Sequence, residues 1–165
     1  IAIVRNKTSI PIKVRIAGKG PKENEYKSLA ADLKIEDITD WLGFISQEDA
    51  AVEWANMDIA VIPSTLESES FGVSAVEAEA CGTAVIISDI PGLMEATRPN
   101  VTSIVVKRNN SLALADGILS LINDRTTLQI MGSNGREFVL NTYSIDICFS
   151  NIEKLLNKYS FSNNS

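Results

Sequence analysis

The chain has 165 residues, 45% of them hydrophobic, which is enough for an ordinary globular domain with a core of useful size. Its 15 Lys and Arg against 21 Asp and Glu leave a net charge of −6, which excludes binding to nucleic acid or anionic membrane by bulk attraction. An anionic ligand would have to be held locally.

In chain order, residues 1–7 read as the end of a helix that opens in mid-pattern on Ile1, as expected of a piece of a longer protein. Ser9-Ile10-Pro11 breaks it, and Ile12 to Ala17 alternates as a β-branched strand. Gly18-Lys19-Gly20-Pro21 forms a tight loop. From Lys22 to Leu33, Tyr26, Leu29, Ala30 and Leu33 recur at helical spacing. Ile38 to Leu42 is a second strand stopped by Gly43. Ser46 followed by Asp49 resembles a capping box and starts a short helix through Trp54 and Ala55. Trp41 and Trp54 are expected in the core.

Met57 to Ile62 then reads as a strand buried on both faces, Phe71 to Cys81 as a helix closed by Gly82, Ala84 to Ser88 as another buried strand, and Ser103 to Val106 as a last short one. Leu112–Ile122, Thr126–Leu140 and Ile145–Tyr159 carry helical apolar stripes. The expectation is one domain over 1–160 with a disordered polar tail at 161–165. Strands alternating with helices imply an α/β, doubly wound (Rossmann-like) parallel sheet with helices on both faces, and ligands in such sheets bind at the carboxyl ends of strands. Those ends are the loops Gly18–Pro21, Gly43–Ser46, Ser64–Phe71 and Ser88–Met94.

Several chemistries are excluded. The absence of histidine removes Ser-His-Asp and Cys-His arrangements, there is no Asp-x-Asp pair to hold a metal-nucleotide, and Cys81 and Cys148 have no metal-ligand spacing. No apolar run approaches the roughly 20 residues of a membrane helix, and no signal peptide is readable, so a soluble, cytoplasmic chain with reduced cysteines is expected. Asn-x-Ser/Thr sequons at Asn6, Asn100, Asn109 and Asn163 would matter only in a secreted protein.

What remains is the stretch after the buried strand. Pro63-Ser64 opens a loop that delivers Phe71-Gly72 to a helix start, where unpaired N–H groups and partial positive charge suit phosphate oxygens or sugar hydroxyls. Gly72 would let a ligand approach the backbone closely. Glu69 precedes the helix and Glu77 lies within it, about 7 to 8 Å along the axis from Gly72. That span matches a nucleoside diphosphate sugar, with hydroxyls at both ends and a diphosphate between. On spacing alone, two glutamates eight residues apart are commonplace.

The ordered motifs give the pair more weight. Ala-Asn-Met-Asp-Ile-Ala-Val-Ile-Pro-Ser, then Glu-Ser-Phe-Gly-Val-Ser-Ala-Val-Glu-Ala-Glu-Ala-Cys-Gly-Thr-Ala-Val-Ile, then Ser-Asp-Ile-Pro-Gly-Leu-Met-Glu95, resemble the C-terminal domain of glycosyltransferase family 4. Ile16-Ala-Gly-Lys-Gly-Pro21 and Trp41-Leu-Gly-Phe44 fall where that family has Gly-x-Gly-Pro and Leu-Gly elements, so the resemblance runs from about Ile12 to Tyr143. It implies the GT-B architecture of two doubly wound domains facing a cleft, with this chain as the donor-binding C-terminal domain of a retaining enzyme. By the same resemblance Glu77 binds the ribose hydroxyls, and Glu69, the candidate catalytic group, contacts the transferred sugar. The amides around Phe71, Gly72 and Val73 hold sugar and phosphates, and the loop at Phe44 borders the base. Ser70, Ser64, Gly18 and Lys19 complete the donor-binding candidates. The implied substrate is a UDP- or GDP-sugar with no metal and no cofactor, and the implied partner is an N-terminal acceptor-binding domain. The parent enzyme is expected at the inner face of the membrane, in polysaccharide or glycolipid synthesis.

The departures are equally specific. The family's diphosphate-clamping Arg and Lys belong to a Gly-Arg and Lys-Gly element in and after the first strand, and nothing in residues 1–11 matches it. That strand is normally central, so its loss would leave a gap or force a rearranged pairing. Ser70, Thr83-Ala84 and Ser103 stand where the family often has Gly, a proline and Gly. A non-catalytic nucleotide-binding or docking domain of the same fold is the alternative. An epimerase is disfavoured by the missing histidines, and a dehydrogenase by the missing Gly-x-Gly-x-x-Gly turn.

Overall fold

The structure, a computed structural model, describes residues 1–66, 68 and 70–160. The expected tail at 161–165 lies outside them. Among the described residues the order is α1 (Ala2–Lys7), β1 (Val14–Ala17), α2 (Glu23–Asp32), a 3-10 turn (Glu36–Ile38), β2 (Thr39–Gly43), α3 (Gln47–Ala55), β3 (Ile59–Ile62), α4 (Val73–Ala80), β4 (Ala84–Ser88), α5 (Pro91–Ala96), β5 (Ser103–Val106), α6 (Ser111–Asn123), α7 (Arg125–Tyr143) and α8 (Ile145–Ser160). All ladders are parallel. They form two sheets, β1-β2 and β3-β4-β5, with no pairing between β1 and β3. Among the described residues no rearranged pairing joins β1 to β3.

The larger sheet follows from its residue types. Ala84-Val-Ile-Ile-Ser88 is buried at every position, as befits the middle strand of a parallel sheet covered on both faces. Alternate residues feed two cores. Ala84 and Ile86 meet Val4, Val106, Ala115, Ile118, Leu121, Leu128 and Met131 on the α1/α6/α7 face. Val85 and Ile87 meet Ala60, Ile62, Ala75, Ala78, Ile90 and Leu93 on the α4/α5 face. β3 lies in register with β4, Ile59 opposite Ala84, so Ile59 and Val61 join the first core while Ala60 and Ile62 join the second.

Helix starts follow their caps. The side chains of Ser46, Asn110 and Asp124 each accept from the backbone N–H three residues on, opening α3, α6 and α7. Gly82 follows α4 with φ 80°, the left-handed position at which glycine ends a helix. Three expectations need correction. The stretch Ser88–Met94 is not all loop, since Pro91 sits in the first turn of α5. The helix expected from Phe71 begins at Val73. The apolar stripe of α2 is not a buried face, because Ala30 is buried but Tyr26, Leu29 and Leu33 are about half exposed.

Candidate functional site

β3 ends at Ile62 and the chain reaches the head of α4 through Gly72, which is left-handed at φ 71° and ψ 48°. A Cβ here would stand 2.4 Å from Leu93 Cδ2 on α5, so glycine is required by packing as well as by dihedral, a reason the sequence does not reveal. The N–H groups of Ala75 and Val76 bond back to the Gly72 carbonyl at 2.9 and 3.3 Å, and Gly72 at the N-cap makes no side-chain cap. The head of α4 thus keeps first-turn N–H groups and the positive end of the helix dipole for a ligand.

Phe71 turns its ring away from that role. It packs edge-on against Tyr143 at 5.4 Å, and Tyr143 in turn meets Phe138 at 5.6 Å, so Phe71 is pinned to α7 and offers its main chain. Ser70 and Val73 are exposed beside it, and Glu77 is partly buried farther along α4. Glu69 lies outside the described residues.

A second group forms where β1 and β2 end. Gly18, at φ 119°, donates its N–H to the Gly43 carbonyl at 2.7 Å, and Gly43 is left-handed at φ 65°. A Cβ on Gly43 would lie 3.2 Å from Lys19 Cε, so the Lys19 stem runs across it, and Phe44 follows with 80% of its surface exposed. The structure therefore gathers Ser64, Ser70, Phe71, Gly72, Val73 and Glu77 at the carboxyl end of β3, and Gly18, Lys19 and Phe44 at the carboxyl end of β1-β2.

Two residues on from Glu77, and about 200° around the helix, Glu79 is fully buried against α7, where a Cβ on Gly135 would meet its Cγ at 3.0 Å. Neither oxygen has a hydrogen bond of normal geometry. Burial pushes its carboxyl up to about 7, which the nearby Thr102 hydroxyl only partly offsets. The Cys81 thiol is also pushed up by burial, opposed by Arg136 and aided by Glu77, and it donates to the Ala51 carbonyl at 3.6 Å.

Sequence reasoning passed over a groove of about 250 Å³ at the carboxyl ends of β3, β4 and β5, lined by Pro63, Thr65, Ser88, Lys107, Arg108 and Leu114 among others. The rule that ligands meet strand ends applies equally to the loop after Val106, and that was the available signal. Asp89 Oδ1 accepts from the Arg108 N–H at 2.7 Å and shapes this wall. No three His, Cys, Asp or Glu among the described residues gather as metal ligands, and no helix there is long and apolar enough to cross a membrane.

Parallel strands between helical layers, with a glycine-led helix at a strand's carboxyl end, define the class as a doubly wound α/β fold of the kind that ends GT-B enzymes. The chain belongs to the family described as glycosyl transferases group 1, whose pattern it matches over residues 1–138. It is 32% identical over 130 residues to a D-inositol 3-phosphate glycosyltransferase of Pseudarthrobacter chlorophenolicus, an alignment that takes in 78% of this chain and 30% of that protein. Among solved structures, sucrose-phosphate synthase from Thermosynechococcus elongatus superposes with a TM-score of 0.82 at 26% identity, over 98% of this chain and 42% of that one. Anabaena Alr3699/HepE in complex with UDP-glucose superposes at 0.83 and shows the shared fold at 22% identity, over 95% and 44% of the two chains. The chain spans about a third of the length of the curated relatives it matches.

Proposed function

We propose that this chain binds the nucleotide-diphosphate-sugar donor of a retaining glycosyltransferase that moves a hexose to a glycan or lipid-linked acceptor in polysaccharide or glycolipid synthesis. The observation that carries the proposal is the head of α4, left-handed at Gly72, which has no side chain with which to cap the helix, and followed by the partly buried Glu77. Support comes from the likeness to a structure solved with UDP-glucose and to glycosyltransferase sequences.

The chemistry asked of the site is electrostatic. Departure of a nucleoside diphosphate builds negative charge on the leaving oxygens, and amides already aimed at that position stabilise it without reorganising. Glu77, about 7 to 8 Å down the helix from Gly72, would accept from the ribose hydroxyls. Glu69 would accept from the sugar and orient it. Gly18, Lys19 and Phe44, at the ends of β1 and β2, would border the base and phosphates. An N-terminal acceptor-binding domain would face this surface, and a nucleic-acid partner is not expected.

Calorimetric titration with UDP, GDP, ADP and their sugar conjugates tests the reading. One nucleotide series should bind, and Glu77→Ala should weaken it about 10- to 100-fold, the loss expected for charge-assisted hydrogen bonds of about 1.5 to 3 kcal/mol. If no nucleotide binds, or if Glu77→Ala binds as well as the parent chain, the donor-site reading fails.

A further inference from the structure

The head of α4 is fixed from two sides. Glycine has wide backbone freedom, so the left-handed setting of Gly72 has to be imposed by its surroundings. Leu93 of α5 supplies one side, its side chain filling the space a Cβ would take. The other side is the ring of Phe71. Ahead of it Pro63, Thr65, Leu66, Ser68 and Ser70 are exposed, so the loop that leaves β3 is fastened at its far end by Phe71 and Gly72 together.

Phe71 is itself 40% exposed, and what holds it is Tyr143, the last residue of α7, whose ring meets it edge-on at 5.4 Å and 86°. The pairing belongs to a longer register. α7 runs antiparallel along α4, with Gly132 at the Gly82 turn, Gly135 at Glu79, the Arg136 guanidinium donating to the Ala80 carbonyl, and Tyr143 at Phe71. One rigid helix therefore spans α4 from its last turn to its head. Tyr143 is braced in turn. Phe138 meets it edge-on at 5.6 Å, the Arg98 guanidinium lies over the Phe138 ring at 4.8 Å, and the Tyr143 hydroxyl donates to the Glu95 carbonyl at 3.5 Å. Glu95 and Leu93 share α5, so the two sides that grip residues 71 and 72 are themselves joined.

We infer that Tyr143 is a positioning residue for the donor: its ring, at the end of α7, locks Phe71 and so fixes the direction in which the first-turn N–H groups of α4 face the phosphates, without touching the ligand. That the bound group is a phosphate rests on the donor-site reading above, whereas the lock on Phe71 does not. Amides already aimed stabilise charge because they need not turn toward it. Freeing Phe71 should therefore weaken the hold on a diphosphate and leave the nucleoside, met farther along by Glu77, as it was. An edge-on ring pair is enough to move such an equilibrium about 2- to 10-fold.

The test compares the 165-residue chain with Tyr143→Leu, which keeps an apolar side chain, and Tyr143→Phe, which keeps the ring. Amide-shift titrations, which follow millimolar binding, use UDP, GDP and ADP, each beside its nucleoside. Tyr143→Leu should bind the diphosphate about 2- to 10-fold more weakly and the nucleoside unchanged, while Tyr143→Phe should bind both like the parent, because the ring makes the contact. A second measurement needs no ligand. The Ala75 and Val76 amides, bonded to the Gly72 carbonyl, should exchange with solvent at least about threefold faster in Tyr143→Leu and at the parent rate in Tyr143→Phe, with Ala84–Ser88 unchanged in both. The positioning role is ruled out if Tyr143→Leu weakens nucleoside and diphosphate alike, if phenylalanine fails to restore the parent behaviour, or if Ala75 and Val76 exchange as before. If those two amides respond as expected but no nucleotide binds the parent chain, the lock on Phe71 stands and the donor-site reading falls.

Discussion

Glu79 carries the most testable chemistry at the scale of single residues. Its carboxyl stands near 7 when folded, against an ordinary value of 4.5. Below about pH 4.5 both folded and unfolded chains hold the proton and the side chain is buried neutral. Between 4.5 and 7 the unfolded chain releases its proton while the folded chain keeps it, so stability falls by about 1.4 kcal/mol per pH unit, and the loss is complete above 7. The total is about 3 kcal/mol. Asp37, Asp40, Asp124 and Glu23, all held below their usual range by hydrogen-bonding partners, act in the opposite sense and only in acid, so the windows separate. Glu79→Gln should match the parent at pH 4.5 and exceed it by about 2 to 3 kcal/mol at pH 8.5 in urea denaturation. Parallel pH profiles for the two proteins would disprove the assignment. Gly72 makes a complementary case. Alanine there meets both a left-handed backbone and the buried Leu93 side chain at 2.4 Å, so Gly72→Ala should cost about 2 to 4 kcal/mol, and Leu93→Ala in that background should recover part of it. Simple additivity of the two substitutions would show that Leu93 is not the obstacle.

At the scale of elements, the decisive contact is between α4 and α7. A Cβ on Gly132 would stand 2.1 Å from the Gly82 carbonyl oxygen, and one on Gly135 would press on Glu79, so both glycines let α7 lie against the turn that ends α4. Alanine is ordinarily about 1 kcal/mol better than glycine inside a helix. Gly132→Ala should reverse that sign and destabilise by at least about 2 kcal/mol, lowering the thermal midpoint by roughly 4 to 8 °C. A midpoint that rises instead would mean that α7 can shift without loss. This contact also marks what could be read in advance. The run Ala84–Ser88, the Ser46 cap and the Gly82 stop are local signals, each written within a few residues, and they are where the structure has them. The open face of α2, the existence of α5 behind Pro91, and the pairing of Gly72 with Leu93 depend on which distant element comes to lie alongside, which periodicity does not encode. The candidate site divides the same way. The head of α4 is a local feature and was legible, whereas the Lys107–Arg108 groove arises from three strand ends converging.

For the whole molecule, the question is how firmly the β1-β2 pair belongs to the rest. β4 sits between two strands with both faces in cores, while β1 and β2 share one ladder and connect elsewhere largely through polar ties. Arg5 reaches Asp37 at 2.5 and 2.9 Å, and Arg15 reaches Glu53 at 2.6 Å, with Ile12 the apolar stitch between them. The Arg5–Asp37 pair is open to solvent and the Arg15–Glu53 pair half-buried; such pairs contribute modestly and the outer one is screened by salt, so a unit held mainly by them should open before the core does. Native-state hydrogen exchange should therefore find the amides of Val14–Ala17 and Thr39–Gly43 opening at lower free energy than those of Ala84–Ser88. Raising sodium chloride to 0.5 M should widen the difference by favouring the smaller opening and leaving the larger one nearly unchanged. Arg15→Met should mimic the salt at β1, because it removes the grip on Glu53 while keeping an apolar stem of similar length. One opening energy and one salt response for all three strands would mean that the two sheets already behave as a single cooperative body. In that case the core around Val4, Ile12 and Ile59, rather than the ion pairs, would be what binds the halves together.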